Sequence, residues 1–270
     1  MKVFGLFGEK LSHSLSPKIH NMLYETLGIE ASYSLFQIQP PMLKDAVQSI
    51  KALSINGVNV TIPYKLKVIE YLDNISNEAL RIGAVNTIFN NENQLVGYNT
   101  DYIGFGRMLD KHSINVHNKT AVIIGSGGAA KSVVTYLEDN GASNIDIVSR
   151  DPSKVLSFNS STYNLIDYNL LKQIGHADLL INCTPCGMFP NVAVSPIEEA
   201  MISSFGAVVD LIYNPSETLL MKYAKANNIL TANGLYMLVA QAAAAVELWT
   251  SRTIDDIIID NVYQQLKKSF

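Results

Sequence analysis

The first chemical signal is a strand that ends in polar side chains. In Gly57-Val58-Asn59-Val60-Thr61-Ile62-Pro63-Tyr64-Lys65, an apolar run carries Asn59, Thr61 and Lys65 at its C-terminal end. Residues two apart on a strand share a face, so Asn59 and Thr61 point the same way. In open α/β sheets, ligands bind beyond the carboxyl ends of the strands. Lys65 is expected at a helix start, where the dipole opposes a cation and eases loss of its proton. Asp101 has two readings: either it or Thr100 caps the helix that follows, or its carboxylate stands beside Lys65. Such a pair can donate and accept a proton at a substrate oxygen while a hydride moves at carbon. A surface lysine after a proline turn is the plain alternative. Asn86 and Asn99 flank an expected hairpin, and turn roles would also suit them.

A second signal lies in Thr120-Ala121-Val122-Ile123-Ile124-Gly125-Ser126-Gly127-Gly128-Ala129-Ala130-Lys131-Ser132. It reads as a buried strand, a glycine turn and a helix start. Gly125 permits the turn, Gly127 lets a backbone approach a phosphate, and Ala130 takes the third small position. The free N–H groups of that helix then face a pyrophosphate. A helix start of any α/β protein is the alternative. An NAD-type site places an acid at the end of the next strand. Here Ser149 takes that place and Arg150 follows, with Lys154 a turn on. A guanidinium pairs with a 2′-phosphate, so NADP is expected, with Asp151 beside Arg150 opposing that preference.

These groups need a scaffold. Strands are expected at 2–8, 31–38 and 57–62, helices at 16–28, 40–53, 65–72 and 77–82, and a hairpin over 86–98 about the turn Asn90–Asn93. In this reading Ser16 is the N-cap and Pro17 the first helical residue. After a helix at 100–109, strands are expected near 119–124, 144–149, 178–182 and 207–212. Helices are expected near 128–140, 168–174, 197–203 and 217–227. Strand–helix alternation implies a largely parallel sheet, and its restart implies a domain boundary near 102. Residues 234–249 form one almost wholly apolar helix, which must be buried on most sides, and 254–268 an amphipathic one. The expected fold is α/β with two domains. Residues 1–102 plus 236–270 form a substrate domain with a mostly parallel sheet, and 103–235 a Rossmann-type NADP-binding domain.

With 270 residues and 48% hydrophobic ones, there is material for two sizeable cores. A net charge of −4 argues against a nucleic-acid partner. No apolar run approaches the roughly 18 residues of a membrane span, and no leader is read at the start, so a cytoplasmic location is expected. Cys183-Thr184-Pro185-Cys186 supplies two of the four ligands of a structural zinc and no His-x-x-x-His partner exists. No metal is expected, and the cysteines are read as small loop residues.

Eight ordered strings together resemble the shikimate dehydrogenase family over nearly the full chain. They are Ser14–Asn21, Gly57–Lys65, Gly83–Thr87, Gly97–Asp101, Gly125–Ala130, Asn182–Met188, Asp210–Pro215 and Gly234–Ala242. The resemblance implies reversible NADPH-dependent reduction of 3-dehydroshikimate to shikimate. It implies Lys65 and Asp101 as the catalytic pair. It places Ser14, Ser16 and Tyr213 on the substrate carboxylate, and Asn59, Thr61, Asn86, Asp101 and Gln241 on the ring hydroxyls. Gly125, Ser126, Gly127, Gly128, Ala129, Ser149, Arg150, Lys154, Thr184, Gly234 and Met237 would meet the cofactor. Met237 and Gln241 are four apart and share one helix face. The family's nucleotide motif Asn-Arg-Thr departs here to Ser149-Arg150-Asp151. Both serines at 14 and 16 favour shikimate over quinate. A quinate/shikimate enzyme accepting either nucleotide and a non-catalytic ligand sensor are the rivals. A small-molecule substrate is the expected partner, and a monomer or homodimer the expected assembly.

Overall fold

Alternating strands and helices build two six-stranded sheets in this computed structural model, which describes residues 1–155, 158 and 162–268. They lie in two compact units, Met1–Gly104 with Val239–Lys268, and Phe105–Leu238. In chain order the first unit contains β1 (Lys2–Gly8), α1 (Ser16–Leu27), β2 (Ala31–Gln37), α2 (Leu43–Ala52), β3 (Gly57–Val60), β4 (Asn74–Ile75), α3 (Asn77–Ile82), β5 (Thr87–Asn91) and β6 (Gln94–Tyr98). Its sheet order is β2-β1-β3-β5-β6-β4. The pairs β1/β2 and β1/β3 are parallel, whereas β5 is antiparallel to both its neighbours. Helix α4 (Thr100–Lys111) leads into the second unit.

There follow β7 (Thr120–Ile124), α5 (Gly128–Asp139), β8 (Asn144–Val148), β9 (Tyr163–Ile166), α6 (Tyr168–Leu171), β10 (Ala177–Asn182), β11 (Phe205–Asp210), α7 (Leu219–Ala226) and β12 (Leu230–Asn233). The chain then runs through α8 (Leu235–Thr250) and α9 (Asp256–Lys267). The second sheet is parallel throughout, with order β12-β11-β10-β7-β8-β9. Read from the other edge, this is the doubly wound dinucleotide order, and it reverses between β7 and β10. The central strands are nearly all buried, as a sheet covered on both faces requires.

Each unit has its own core. Val47, Ile50, Val58, Val68, Val85 and Ile88 anchor one cluster of the first unit. Val122, Ile124, Leu180, Ile202, Val208 and Leu220 anchor one of the second. On another face of the first sheet, Trp249 of α8 stacks on Phe4 at 4.5 Å and donates its indole N–H to the Ile88 carbonyl at 3.0 Å. That contact fastens the apolar helix to the strands.

Several local expectations are corrected. Ser16 is inside α1 rather than capping it: Leu15 holds the cap position without a side-chain bond, and the Ser14 hydroxyl accepts from the Ser16 N–H at 3.2 Å. Thr100 and Asp101 likewise lie within α4, and it is the Asn99 side chain that accepts from the Tyr102 N–H at 3.4 Å. The segments after Lys65 and near 197–203 are 3₁₀ turns, Lys67–Tyr71 and Glu199–Ser204. Residues 40–53 begin as the 3₁₀ turn Pro40–Met42 before α2. In the hairpin, Asn90 and Asn91 join the strand and only Glu92 and Asn93 form the loop, with φ of 50° and 65°. Positive φ at both residues matches the twist of two-residue hairpins. Strands β9 and β12 were not expected. Both are short, half-exposed edges without an apolar run.

Candidate active site

In the first unit the polar groups gather beside the C-terminal end of β3. Lys65 and Asp101, 36 residues apart, meet with Nζ at 2.6 Å from Oδ2. Their side chains are 17% and 9% exposed, so the pair is sheltered yet reachable. The second carboxylate oxygen of Asp101 accepts from the Asn86 amide at 2.8 Å. Asp101 therefore spends its carboxylate on Lys65 and Asn86 and not on capping. The short 3₁₀ turn after Lys65 removes the basis for a helix-dipole effect on it; the neighbouring carboxylate is its electrostatic partner.

The cluster extends outward from Asn86. Its side-chain oxygen accepts from the Thr100 N–H at 2.7 Å and from the Thr87 hydroxyl at 3.0 Å. The Asn59 amide donates to the Thr87 hydroxyl at 3.0 Å, and its own oxygen accepts from the Tyr33 phenol at 2.8 Å. Thr100 reaches Gln241 of α8 at 3.5 Å. Asn59, Asn86, Thr87 and Thr100 are all buried, which demands that their polar atoms be paired. Thr61 and Ser14 are half-buried at the same end of the sheet, following β3 and β1. Sequence reasoning did not single out Tyr33 or Thr87. A tyrosine in a half-apolar strand and a threonine at a strand start look like packing residues, and only the fold shows their hydroxyls turned to the cluster.

In the second unit the glycine loop follows β7, at the reversal of strand order. Gly125 has φ of +102°, and a Cβ there would lie 2.7 Å from the Thr184 methyl in the loop after β10. Beside Gly127 the corresponding space is open, and no side chain caps α5. The first N–H groups of α5 are thus available to an anion, with Ser126, Gly128 and Ala129 around them. These features fit a dinucleotide pyrophosphate. Ser149 and Arg150 directly follow β8, and Arg150 is exposed. The Asp151 carboxylate pairs with Lys154 at 2.8 Å and accepts from the Ser153 hydroxyl at 2.6 Å. Lys154 holds this carboxyl below its usual range. So the charge expected to oppose Arg150 is partnered with Lys154, which is itself committed to the loop.

The loop after β10 is held from below. Asp210 is fully buried and accepts from Asn182, the Ile212 N–H and Thr218 at 3.0, 3.1 and 2.6 Å. Burial pushes its carboxyl up to about 6. Asn182 in turn accepts from the Thr184 N–H and hydroxyl at 3.0 and 2.7 Å. A buried carboxylate thereby orients Thr184 against Gly125, a support that the sequence did not disclose. Gly234 is required by the backbone, since a Cβ would lie 2.0 Å from the Leu211 carbonyl oxygen. Burial raises the Tyr213 phenol. Met237 is buried at the start of α8. Cys183 and Cys186 are both free, and burial raises the Cys183 thiol beyond ordinary titration. Among the described residues, no group of three His, Cys, Asp or Glu could hold a metal ion, and no helix is long and apolar enough to cross a membrane.

A doubly wound sheet with a dinucleotide loop, in one chain with a unit carrying a sheltered Lys–Asp pair, defines an α/β oxidoreductase of the nicotinamide type. The comparisons agree. Residues 6–88 match the shikimate dehydrogenase substrate binding domain, 108–211 the shikimate / quinate 5-dehydrogenase family, and 234–267 the shikimate 5'-dehydrogenase C-terminal domain. A shikimate dehydrogenase (NADP(+)) from Clostridium perfringens is 45% identical over all of both chains. The crystal structure of shikimate dehydrogenase 1 from Peptoclostridium difficile is 46% identical with a TM-score of 0.93, covering 99% of this chain and 98% of that one. A Thermus thermophilus shikimate 5-dehydrogenase, solved with NADP(H) and shikimate, is 32% identical with a TM-score of 0.88, covering 98% and 99%. The chain belongs to the shikimate dehydrogenase family. It is an NADP-dependent oxidoreductase acting on a CH–OH group of the shikimate pathway.

Proposed function

We propose that Lys65 and Asp101 are the catalytic pair for reversible reduction of 3-dehydroshikimate to shikimate by NADPH. The 2.6 Å contact between two sheltered, oppositely charged groups carries the proposal. NADPH, when bound, supplies a hydride to the carbonyl carbon. The Lys–Asp pair supplies the proton to the carbonyl oxygen and recovers it in the reverse direction. Asn86 fixes the Asp101 carboxylate by its hydrogen bond, so the pair is set before substrate arrives. Asn59, Thr61, Asn86 and Gln241, with the catalytic pair, receive the ring hydroxyls. Ser14 and Ser16 hold the carboxylate with neutral hydroxyls, and Tyr213 is a further candidate for that role.

On the cofactor side, Gly125, Ser126, Gly127, Gly128 and Ala129 offer backbone N–H groups to the pyrophosphate. Ser149 and Arg150 take the 2′-phosphate, with Lys154 at the rim. Thr184, Gly234 and Met237 take the nicotinamide end. The second unit is accordingly the NADP-binding domain and the first the substrate domain, acting in the cytoplasm as a monomer or homodimer.

The test is spectrophotometric oxidation of shikimate with NADP+. Lys65→Ala should lower turnover by at least about a hundredfold, within the range a positioned proton donor supplies, with little change in shikimate affinity. Near-normal turnover would remove Lys65 from the mechanism. Parallel assays with quinate and with NAD define the substrate and nucleotide preference.

A further inference from the structure

The buried phenol of Tyr33 stands at one end of the polar cluster. Tyr33 of β2 pairs in register with Phe4, which pairs with Gly57, two residues before Asn59. With the period of two along a strand, Tyr33, Phe4, Gly57 and Asn59 share one face of the first sheet. His20 of α1 stacks on the Tyr33 ring at 3.9 Å and 18°, holding it from behind. The ring cannot swing away, and its hydroxyl is aimed along the sheet.

A phenol has one proton to give. Here it goes to the Asn59 side-chain oxygen at 2.8 Å. Burial keeps the phenol protonated. With its oxygen held by Tyr33, the Asn59 amide turns to the Thr87 hydroxyl at 3.0 Å. Thr87 donates to Asn86 at 3.0 Å, and Asn86 to Asp101 at 2.8 Å. Donors thus run in one direction from Tyr33 through Asn59, Thr87 and Asn86 to the carboxylate that holds Lys65.

We propose that Tyr33 is a positioning residue for substrate recognition, its hydroxyl fixing the orientation of the Asn59 amide. This rests on the reading above that Asn59 faces the substrate. Without the hydroxyl, the Asn59 oxygen is left buried and unpaired. The amide, still donating to the Thr87 hydroxyl and the Asn86 carbonyl, is then free to tilt out of the plane in which it meets the substrate.

Tyr33→Phe keeps the ring on His20 and removes only the hydroxyl. With shikimate and NADP+, the KM for shikimate should rise about tenfold. Turnover should stay within about threefold, and the KM for NADP+ should not change; these magnitudes correspond to one misplaced neutral hydrogen bond. Asn59→Ala should cost less in the Tyr33→Phe background than alone, because the two act through one contact. An unchanged shikimate KM, equal rises in both KM values, or strict additivity with Asn59→Ala would overturn the proposal. If Tyr33→Phe fails to fold, fluorotyrosine at position 33 keeps the ring and changes only the donor strength of the phenol. A selective change in the KM for shikimate supports the proposal, and no change rejects it. A wild-type chain that oxidises no shikimate overturns the functional reading as well, whereas an active wild type with an indifferent Tyr33→Phe rejects the role of Tyr33 alone.

Discussion

His20 shows how a single residue ties this architecture to pH. It is fully buried, its Nδ1 bonds the Ser16 carbonyl at 2.9 Å, and Nε2 has no partner. Burial lowers its pKa from 6.5 to about 3. Between those values the unfolded chain takes up a proton that the folded chain refuses. Falling pH therefore favours unfolding across this window, by roughly 3 kcal/mol between pH 6.5 and pH 4. Asp210, raised to about 6 from 3.8, works oppositely: its cost appears as pH rises through 4 to 6. The His20 contribution is isolated by comparison with a variant. His20→Phe retains a ring against Tyr33 and should flatten the acid side of the stability profile. Urea midpoints from pH 7.5 to 4.5 measure it, and a slope equal to that of the wild type would contradict the assignment.

At the scale of elements, the loop after β8 is the proposed 2′-phosphate seat. Asp151 is bound to Lys154 and Ser153 within that loop, so it neutralises one cation and places a negative charge close to the proposed phosphate seat. Asp151→Thr should lower the KM for NADP+ about threefold at low ionic strength and leave that for NAD+ unchanged. The gain should fade as salt rises, because the charge is exposed and screened. Equal effects on both nucleotides would argue that the loop does not read the 2′-phosphate. The same scale explains what was legible in the sequence. Central strands such as β7 and β10 announce themselves by unbroken apolar runs, and α8 by its apolar length. Edge strands β9 and β12 have neither. The Ser16 and Thr100 caps were misassigned because a polar residue near a helix start fits several positions, and only the hydrogen bond chooses among them. Asn59 and Lys65 were legible as polar residues at the end of a strand, Asn86 as a hairpin flank and Asp101 at a helix start. Their mutual bonds were not, because they join residues up to 36 apart. Tyr33 was hidden by its position within a strand.

At the scale of the whole chain, the units differ in continuity. The second sheet is built wholly within residues 105–238, whereas the first unit draws on both sides of that segment. Residues 239–268 bring Trp249, Ile259, Val262 and Leu266, all buried, to the first unit. A chain ending at Leu238 should therefore lose the cooperative unfolding of the first unit, while residues 100–238 alone should retain helical circular dichroism and a urea transition. Filling a core of this kind contributes several kcal/mol per large side chain, more than a unit of ordinary stability can forgo. A stable, cooperative first unit without residues 239–268 would refute that division.

This discontinuity also has a consequence for biosynthesis. As the polypeptide leaves the ribosome, Phe4 and its sheet emerge first, while Trp249, which covers Phe4, follows only after the entire intervening segment. At about 5–20 residues per second, that wait is tens of seconds. Throughout it, the nascent chain carries an unfinished apolar face while the second unit is already free to fold, and this interval is when a chaperone would have most to protect.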